Sequence, residues 1–231
     1  MNKDIVIISG GANGLGSSLV DKLINKEYLI CVLDKDDISA KKLEEKYGSL
    51  CKVYIGDIAD EDFVTTSINE ISKLGNILCL INNAGEPSFK MPKEYKKKDI
   101  NKCFKGLEGM ILLTSNVLKE TNEKNVKIVN IMSSAALRGN KQESVYCATK
   151  WGERGYTESL KVAYKGTSVK VIGVYPGGIN TNFYKDSRDY VSIEKQNTFM
   201  NPNDVADIIV ENVFSDKNLT VSDLMIERNQ G

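Results

Sequence analysis

Apolar runs of strand length recur along the chain, and a stretch long enough for a helix separates most of them from the next. The strand-like runs are Ile5–Ser9, Leu29–Leu33, Leu50–Ile55, Ile77–Ile81, Val126–Met132 and Val169–Tyr175. They are rich in Ile, Val and Leu and almost continuously apolar, as strands covered on both faces must be. Helical candidates fall near 14–26, 38–47, 60–74, 98–122, 143–165 and 203–214, and Leu219–Glu227 suggests one last short strand. Such alternation calls for crossover helices and a parallel sheet. The expectation is a single α/β domain over residues 1–231: one doubly wound parallel sheet of about seven strands, flanked by helices. No repeat, low-complexity tract or linker divides it. The longest stretch without an element, about 177–202, has the length of a functional or mobile loop.

Composition narrows the chemistry. None of the 231 residues is histidine, which removes Ser-His-Asp triads, Cys-His pairs, imidazole proton shuttles and histidine-bearing metal sites. Acid–base work must fall to Tyr, Lys, Cys or carboxylates, and no metal is expected. Lys+Arg and Asp+Glu balance at 31 each, leaving no long-range field to attract nucleic acid or an anionic membrane. The cluster Lys93–Lys98 reads as a solvated loop and helix start. No apolar run reaches the ~20 residues that span a bilayer. The N-terminal apolar stretch runs into glycines where a cleavage site would sit, so it reads as a first strand. Five cysteines (Cys31, Cys51, Cys79, Cys103, Cys147) lie far apart without a CxxC pair, as reduced, mostly buried thiols of a cytoplasmic protein do.

Directly after the first strand comes Ser9-Gly10-Gly11-Ala12-Asn13-Gly14-Leu15-Gly16, followed by an amphipathic helix. Glycines let a diphosphate approach the backbone, where helix-start N–H groups and the helix dipole hold its charge. Asp34 ends the second strand near the spacing of a carboxylate that bonds a ribose diol and repels a 2′-phosphate. It favours NAD as the cofactor, and the adjacent basic Lys35 keeps NADP possible. Asn13, where a basic residue could grip that phosphate, adds weight to NAD. Taken singly, a tight turn into a helix and a strand-end carboxylate explain these residues equally well.

The sequence resembles the short-chain dehydrogenase/reductase family over essentially its whole length. The family's TGxxxGxG pattern is met from Ser9 to Gly16, with Ser replacing Thr. Its acidic residue after the third strand is Asp57 in Gly56-Asp57-Ile58, and its NNAG motif is Asn82-Asn83-Ala84-Gly85. YxxxK reads Tyr146-Cys147-Ala148-Thr149-Lys150, PGxxxT reads Pro176-Gly177-Gly178-Ile179-Asn180-Thr181, and the family's serine falls on Ser133. The resemblance implies a Rossmann-type fold and hydride transfer between a nicotinamide cofactor and a small-molecule carbonyl or alcohol. It implies Ser133, Tyr146 and Lys150 as catalytic residues. Cofactor binding then falls to Ser9, Gly10, Asn13, Gly14, Leu15, Gly16 and Asp34 near the diphosphate and ribose, and to Asp57 and Ile58 at the adenine. Asn83, Ala84, Gly85, Tyr146, Lys150, Pro176, Gly177, Ile179 and Thr181 complete the set, Thr181 at the carboxamide. A homo-oligomer, dimer or tetramer, is implied through the helices near 98–122 and 143–165.

The chemistry stands on its own terms. Tyr146 and Lys150 are i and i+4 on one predicted helix and share a face. A free phenol has a pKa near 10, and a nearby ammonium with a cationic nicotinamide lowers it. Two units correspond to roughly 2.7 kcal/mol. Ser133 then donates a hydrogen bond to the substrate oxygen. One position departs from the family: Gly106 stands where a helix asparagine is usual. A glycine there still exposes a main-chain carbonyl and loosens the helix. The segment 181–202, with Phe183, Tyr184, Lys185, Arg188 and Tyr190, reads as a mobile, solvent-exposed lid, and Phe89 and Arg138 are candidates for the same cleft. Two other functions fit the pattern less well: a non-catalytic dinucleotide-binding regulator, and a sugar-nucleotide epimerase or dehydratase.

Overall fold

The computed structural model describes residues 3–187, 190–215 and 219–229. Seven strands, β1 (Lys3–Ser9), β2 (Leu29–Asp34), β3 (Cys51–Ile55), β4 (Gly75–Asn82), β5 (Lys127–Ile131), β6 (Lys170–Pro176) and β7 (Asp223–Ile226), form one sheet. Their order is β3-β2-β1-β4-β5-β6-β7, and every pairing is parallel. The helices are α1 (Gly14–Leu23), α2 (Asp37–Tyr47), α3 (Glu61–Ser72), α4 (Lys97–Glu120), α5 (Ser144–Ala163), α6 (Ile193–Gln196) and α7 (Pro202–Val213). This is the doubly wound α/β sheet that the alternation predicts.

Uniformly apolar strands follow from a sheet covered on both faces. Successive side chains of β1 point to opposite sides. Val6 and Ile8 join Leu19, Leu23, Ile209 and Val210 of α1 and α7. Ile5 and Ile7 join Val64, Ile68, Leu113, Val117 and Leu160 of α3, α4 and α5. Side chains cap several helix starts: Asp36 accepts from Ser39 N, Asp60 from Asp62 N and Phe63 N, and Asn201 from Asn203 N. All five cysteines are free and buried. Desolvation pushes the Cys31, Cys51 and Cys79 thiols up to about 12, so they carry little thiolate character. No helix among the described residues is long and apolar enough to cross a membrane.

Two boundaries differ from the predicted ones. Leu50 closes a 3-10 turn, Gly48–Leu50, instead of opening β3, and the end of the first predicted helix tightens into a second, Ile24–Lys26. The segment 177–202 is more ordered than a bare loop: it holds a 3-10 turn, Asn182–Tyr184, and α6, and Ile179 bridges to Met200.

A buried polar line crosses the sheet beneath the cleft. Asn82 Nδ2 donates to Asn130 Oδ1 (2.9 Å) and to Thr114 Oγ1 (3.1 Å). Asn130 Nδ2 donates to Thr157 Oγ1 (2.9 Å), whose hydroxyl donates to the Glu153 carbonyl (2.7 Å). The line ties β4, β5, α4 and α5 at fixed depth. Asn130→Ala removes two of these bonds from a fully buried position, with an expected loss of about 2 kcal/mol in urea unfolding. An unchanged unfolding midpoint would contradict this role.

Candidate active site

A cleft of about 1490 Å³ runs over the carboxyl ends of the strands, from Asp34 at one end to Tyr146 and Tyr190 at the other. Its floor begins at the glycine-rich turn. Gly10 has φ +65°, and a Cβ there would lie 2.9 Å from Ala84 Cα. Only glycine tolerates both the left-handed backbone and that approach. Asn83 Nδ2 donates to the carbonyls of Ser9 (3.1 Å) and Gly10 (2.9 Å). In return Ser9 Oγ accepts from Asn83 N (3.0 Å) and Ala84 N (3.1 Å). The turn after β1 and the turn after β4 thus brace each other.

That bracing shows what two of the expected cofactor residues do within the fold. Ser9 is 1% exposed and spends its hydroxyl on the β4 turn, and Gly16 packs so closely that a Cβ would sit 2.0 Å from the Gly10 carbonyl oxygen. Both support the cleft wall from behind; Gly10, Asn13, Gly14 and Leu15 line it. No side chain caps α1, which leaves its first-turn N–H groups available to an anion. Gly14, at φ +55°, faces Thr181 across the cleft, where a Cβ would come within 3.3 Å of the threonine side chain.

Carboxylates dominate the outer end. Asp34 accepts from Ala12 N and Asp36 N, both at 3.0 Å, and Asn13 Nδ2 donates to Asp36 (2.9 Å). Lys35 pairs with Glu86, which also holds Lys102 at 3.0 Å. Asp57 pairs with Lys105 at 2.5 Å. Burial opposes ionisation of Asp57, yet the hydrogen bonds from Lys105 and Ala59 N hold its carboxyl below the usual range. Ile58, Asn83, Ala84, Gly85, Pro176, Gly177 and Ile179 also line the cleft.

The inner end brings Ser133, Tyr146 and Lys150 together. Ser133 follows β5, and its Oγ accepts from Ala135 N (3.1 Å). Tyr146 and Lys150 share a face of α5, with Nζ 5.7 Å from the ring centroid. Desolvation pushes the Tyr146 phenol well above its ordinary value and the charge of Glu153 adds to the rise, while a side-chain hydrogen bond with Ser133 opposes it. Lys150 Nζ donates to Glu153 Oε2 (2.8 Å) and Oε1 (3.1 Å). Glu153 escaped the sequence reading, although its i+3 spacing from Lys150 on a helix was the available signal. The expected loosening at Gly106 is absent too, because α4 runs unbroken from Lys97 to Glu120.

The model of the short chain dehydrogenase family matches residues 4–192. The chain belongs to the short-chain dehydrogenase family. Sepiapterin reductase of Chlorobaculum tepidum is 27% identical over 244 residues, covering 99% of this chain and 98% of that protein. L-fucose dehydrogenase of Rattus norvegicus is 27% identical over 186 residues, 79% of this chain and 68% of its own. Among solved structures, a short-chain dehydrogenase/reductase from Vibrio parahaemolyticus has a TM-score of 0.86 at 26% identity, covering 97% of this chain and 100% of that one. ElxO with NADP bound has a TM-score of 0.85 at 27% identity, covering 97% of each chain.

In this short-chain dehydrogenase the lid turns its aromatic residues inward. Phe89 stacks on Tyr190 (centroids 4.4 Å apart) and on Tyr184 (5.6 Å), and its ring lies 5.9 Å from that of Tyr146. Phe183 meets Tyr146 at 6.0 Å. Tyr190 OH donates to the buried Glu143 carboxylate, which also accepts from Asn140 Nδ2 (2.7 Å). Gln196 Nε2 ties α6 to Asn180 Oδ1 (2.9 Å) and to the Thr181 carbonyl (2.8 Å). The predicted solvent-exposed lid is therefore a packed aromatic roof. Lys185 alone among the named lid residues is exposed, Arg188 lies outside the described residues, and Arg138 points away toward Glu227. Aromatic pairs contribute about 0.5–1.5 kcal/mol each. Phe89→Ala is therefore expected to speed tryptic cleavage after Lys185 by about tenfold, as followed by mass spectrometry. An unchanged rate would show that these rings do not hold the segment down.

Proposed function

We propose that the protein is an NAD-dependent oxidoreductase that moves hydride between the nicotinamide and a carbonyl or alcohol carbon, with Tyr146 as general acid/base. The observation that carries this reading is the meeting of Ser133, Tyr146 and Lys150 at the inner end of a cleft floored by glycine backbone. The residues present fit a dinucleotide. Gly10 admits close backbone approach, the first-turn N–H groups of α1 are uncapped, and Thr181 stands opposite Gly14. When bound, NAD supplies the hydride acceptor or donor.

The chain's own groups divide the remaining work. The N–H groups at the start of α1 hold the diphosphate. Asp34 keeps unused lone pairs beyond its two backbone bonds and takes the ribose diol. Asp36 beside it and the engagement of Lys35 with Glu86 make the corner unfavourable for a 2′-phosphate, which supports NAD over NADP. Lys150 bonds the second ribose. Ser133 donates to the substrate oxygen, and Tyr146 transfers the proton. The aromatic roof excludes water and supports a substrate with apolar surface beside its carbonyl.

The test is a screen at 340 nm of aldehydes, ketones and alcohols with NADH, NADPH and their oxidised forms. Tyr146→Phe is expected to lower turnover by about 10³-fold while NADH binding, read by fluorescence, persists. Retained turnover would overturn the assignment. Asp34→Ala is expected to raise affinity for NADPH relative to NADH. Titration of both cofactors checks this, and an unchanged ratio removes Asp34 from cofactor choice.

A further inference from the structure

Two charges lie out of water below the reacting phenol. Glu153 is 1% exposed and Lys150 4%, and both carboxylate oxygens accept from Nζ, at 2.8 and 3.1 Å. A buried carboxylate is costly even when paired, and an apolar side chain of similar volume would pack between helices without that cost. The room for it comes from α4. A Cβ at Gly106 would lie 3.7 Å from Glu153 Oε1, 3.5 Å from the Ala84 carbonyl oxygen and 3.4 Å from Gly85 Cα. A side chain there that extends toward α5 would meet the carboxylate. Gly85 clears the other side of the ammonium, since its Cβ would come 3.4 Å from Nζ. Three elements thus meet at one ion pair.

We propose that Glu153 is a positioning residue of the hydride-transfer reaction: its buried carboxylate clamps Lys150 Nζ through both oxygens and offsets the ammonium charge beside Tyr146. The inference rests on the oxidoreductase reading above. A clamped Nζ keeps its place beneath the cleft. The offset charge also weakens the field that would draw a proton from the phenol. Tyr146 therefore stands as a proton donor near neutral pH, the role needed in carbonyl reduction. Alcohol oxidation needs the phenolate and gains rate as pH rises.

Besides the pair, the groups facing Tyr146 are Glu143 at the start of α5, Ser133 after β5, Cys103 on α4 and Tyr184 of the lid; Cys103 also faces the pair itself. Lys102 and Glu86 lie beyond Cys103. All remain when position 153 is changed, so a shift in the profile then belongs to the Glu153 charge.

The experiment compares pH profiles of oxidation of the best alcohol from the screen, with NAD, in wild type, Glu153→Gln and Glu153→Asp. Gln keeps the shape and a hydrogen-bond acceptor but no charge, so the rising limb is expected to move about one unit lower. Asp keeps the charge but falls one methylene short of Nζ. Its limb is expected to stay in place while kcat drops at least about tenfold. Superimposable wild-type and Gln limbs, with only the Tm lowered, would reduce Glu153 to packing and overturn the proposal. Should Gln fail to fold, Asp decides, and a wild-type kcat there overturns it equally. Absence of turnover by the wild type with every substrate and cofactor defeats the oxidoreductase reading and this role with it. An active wild type with superimposable limbs defeats the positioning role alone.

Discussion

The hinge of the structure is the junction of β1 and β4. From β1 the chain winds outward through β2 and β3, then crosses back to lay β4 on the other side and continues to β7. Connections leave these two strands in opposite directions, so a crevice must open above their carboxyl ends. The Ser9–Asn83 exchange of hydrogen bonds sits at that point. It fixes the glycine turn to the NNAG turn, and through them α1, α4 and α5 acquire their positions around one cleft.

Local patterns carried most of the fold. Apolar runs on β1, β2 and β4 read correctly because both faces of a parallel sheet are buried, and helix spans were within a few residues because capping and periodicity are short-range signals. The site residues were legible by type and spacing, but their surroundings were not. Ser9 and Gly16 sit in the expected motif, but that one is bonded to the turn after β4 and the other packed on the Gly10 carbonyl depends on how β4 meets the turn. The lid aromatics gave no periodic signal, since their order depends on Phe89, about a hundred residues earlier. Glu153 was three residues from Lys150, but whether such a neighbour points to solvent or into the protein is decided by α4.

A chain without histidine must do its proton chemistry with groups whose ordinary pKa values lie far from neutrality. Here α5 carries Tyr146, Lys150 and Glu153 on adjoining turns, the groups to which the proposed function assigns that work. Burial and the carboxylate favour the neutral phenol, and the serine hydrogen bond favours its ionised form. The protonation state of Tyr146 is therefore a balance among three or four neighbours in a low-dielectric pocket, where small displacements have large effects.

Gly106, Lys150 and Glu153 also bear on how such a sequence can drift. Removing either partner of a buried ion pair strands the other, at a cost of about 3–5 kcal/mol, whereas replacing both together can be nearly neutral. A methyl at 106 would meet its neighbours at ordinary contact distances of 3.4–3.7 Å, the Glu153 carboxylate among them. Lys150 donates to both oxygens of Glu153, so a change at 153 is felt first by the ammonium. Homologous sequences with a long side chain at 106 should therefore tend to differ at 153 as well, a coupling between helices that no substitution table scored one site at a time would register.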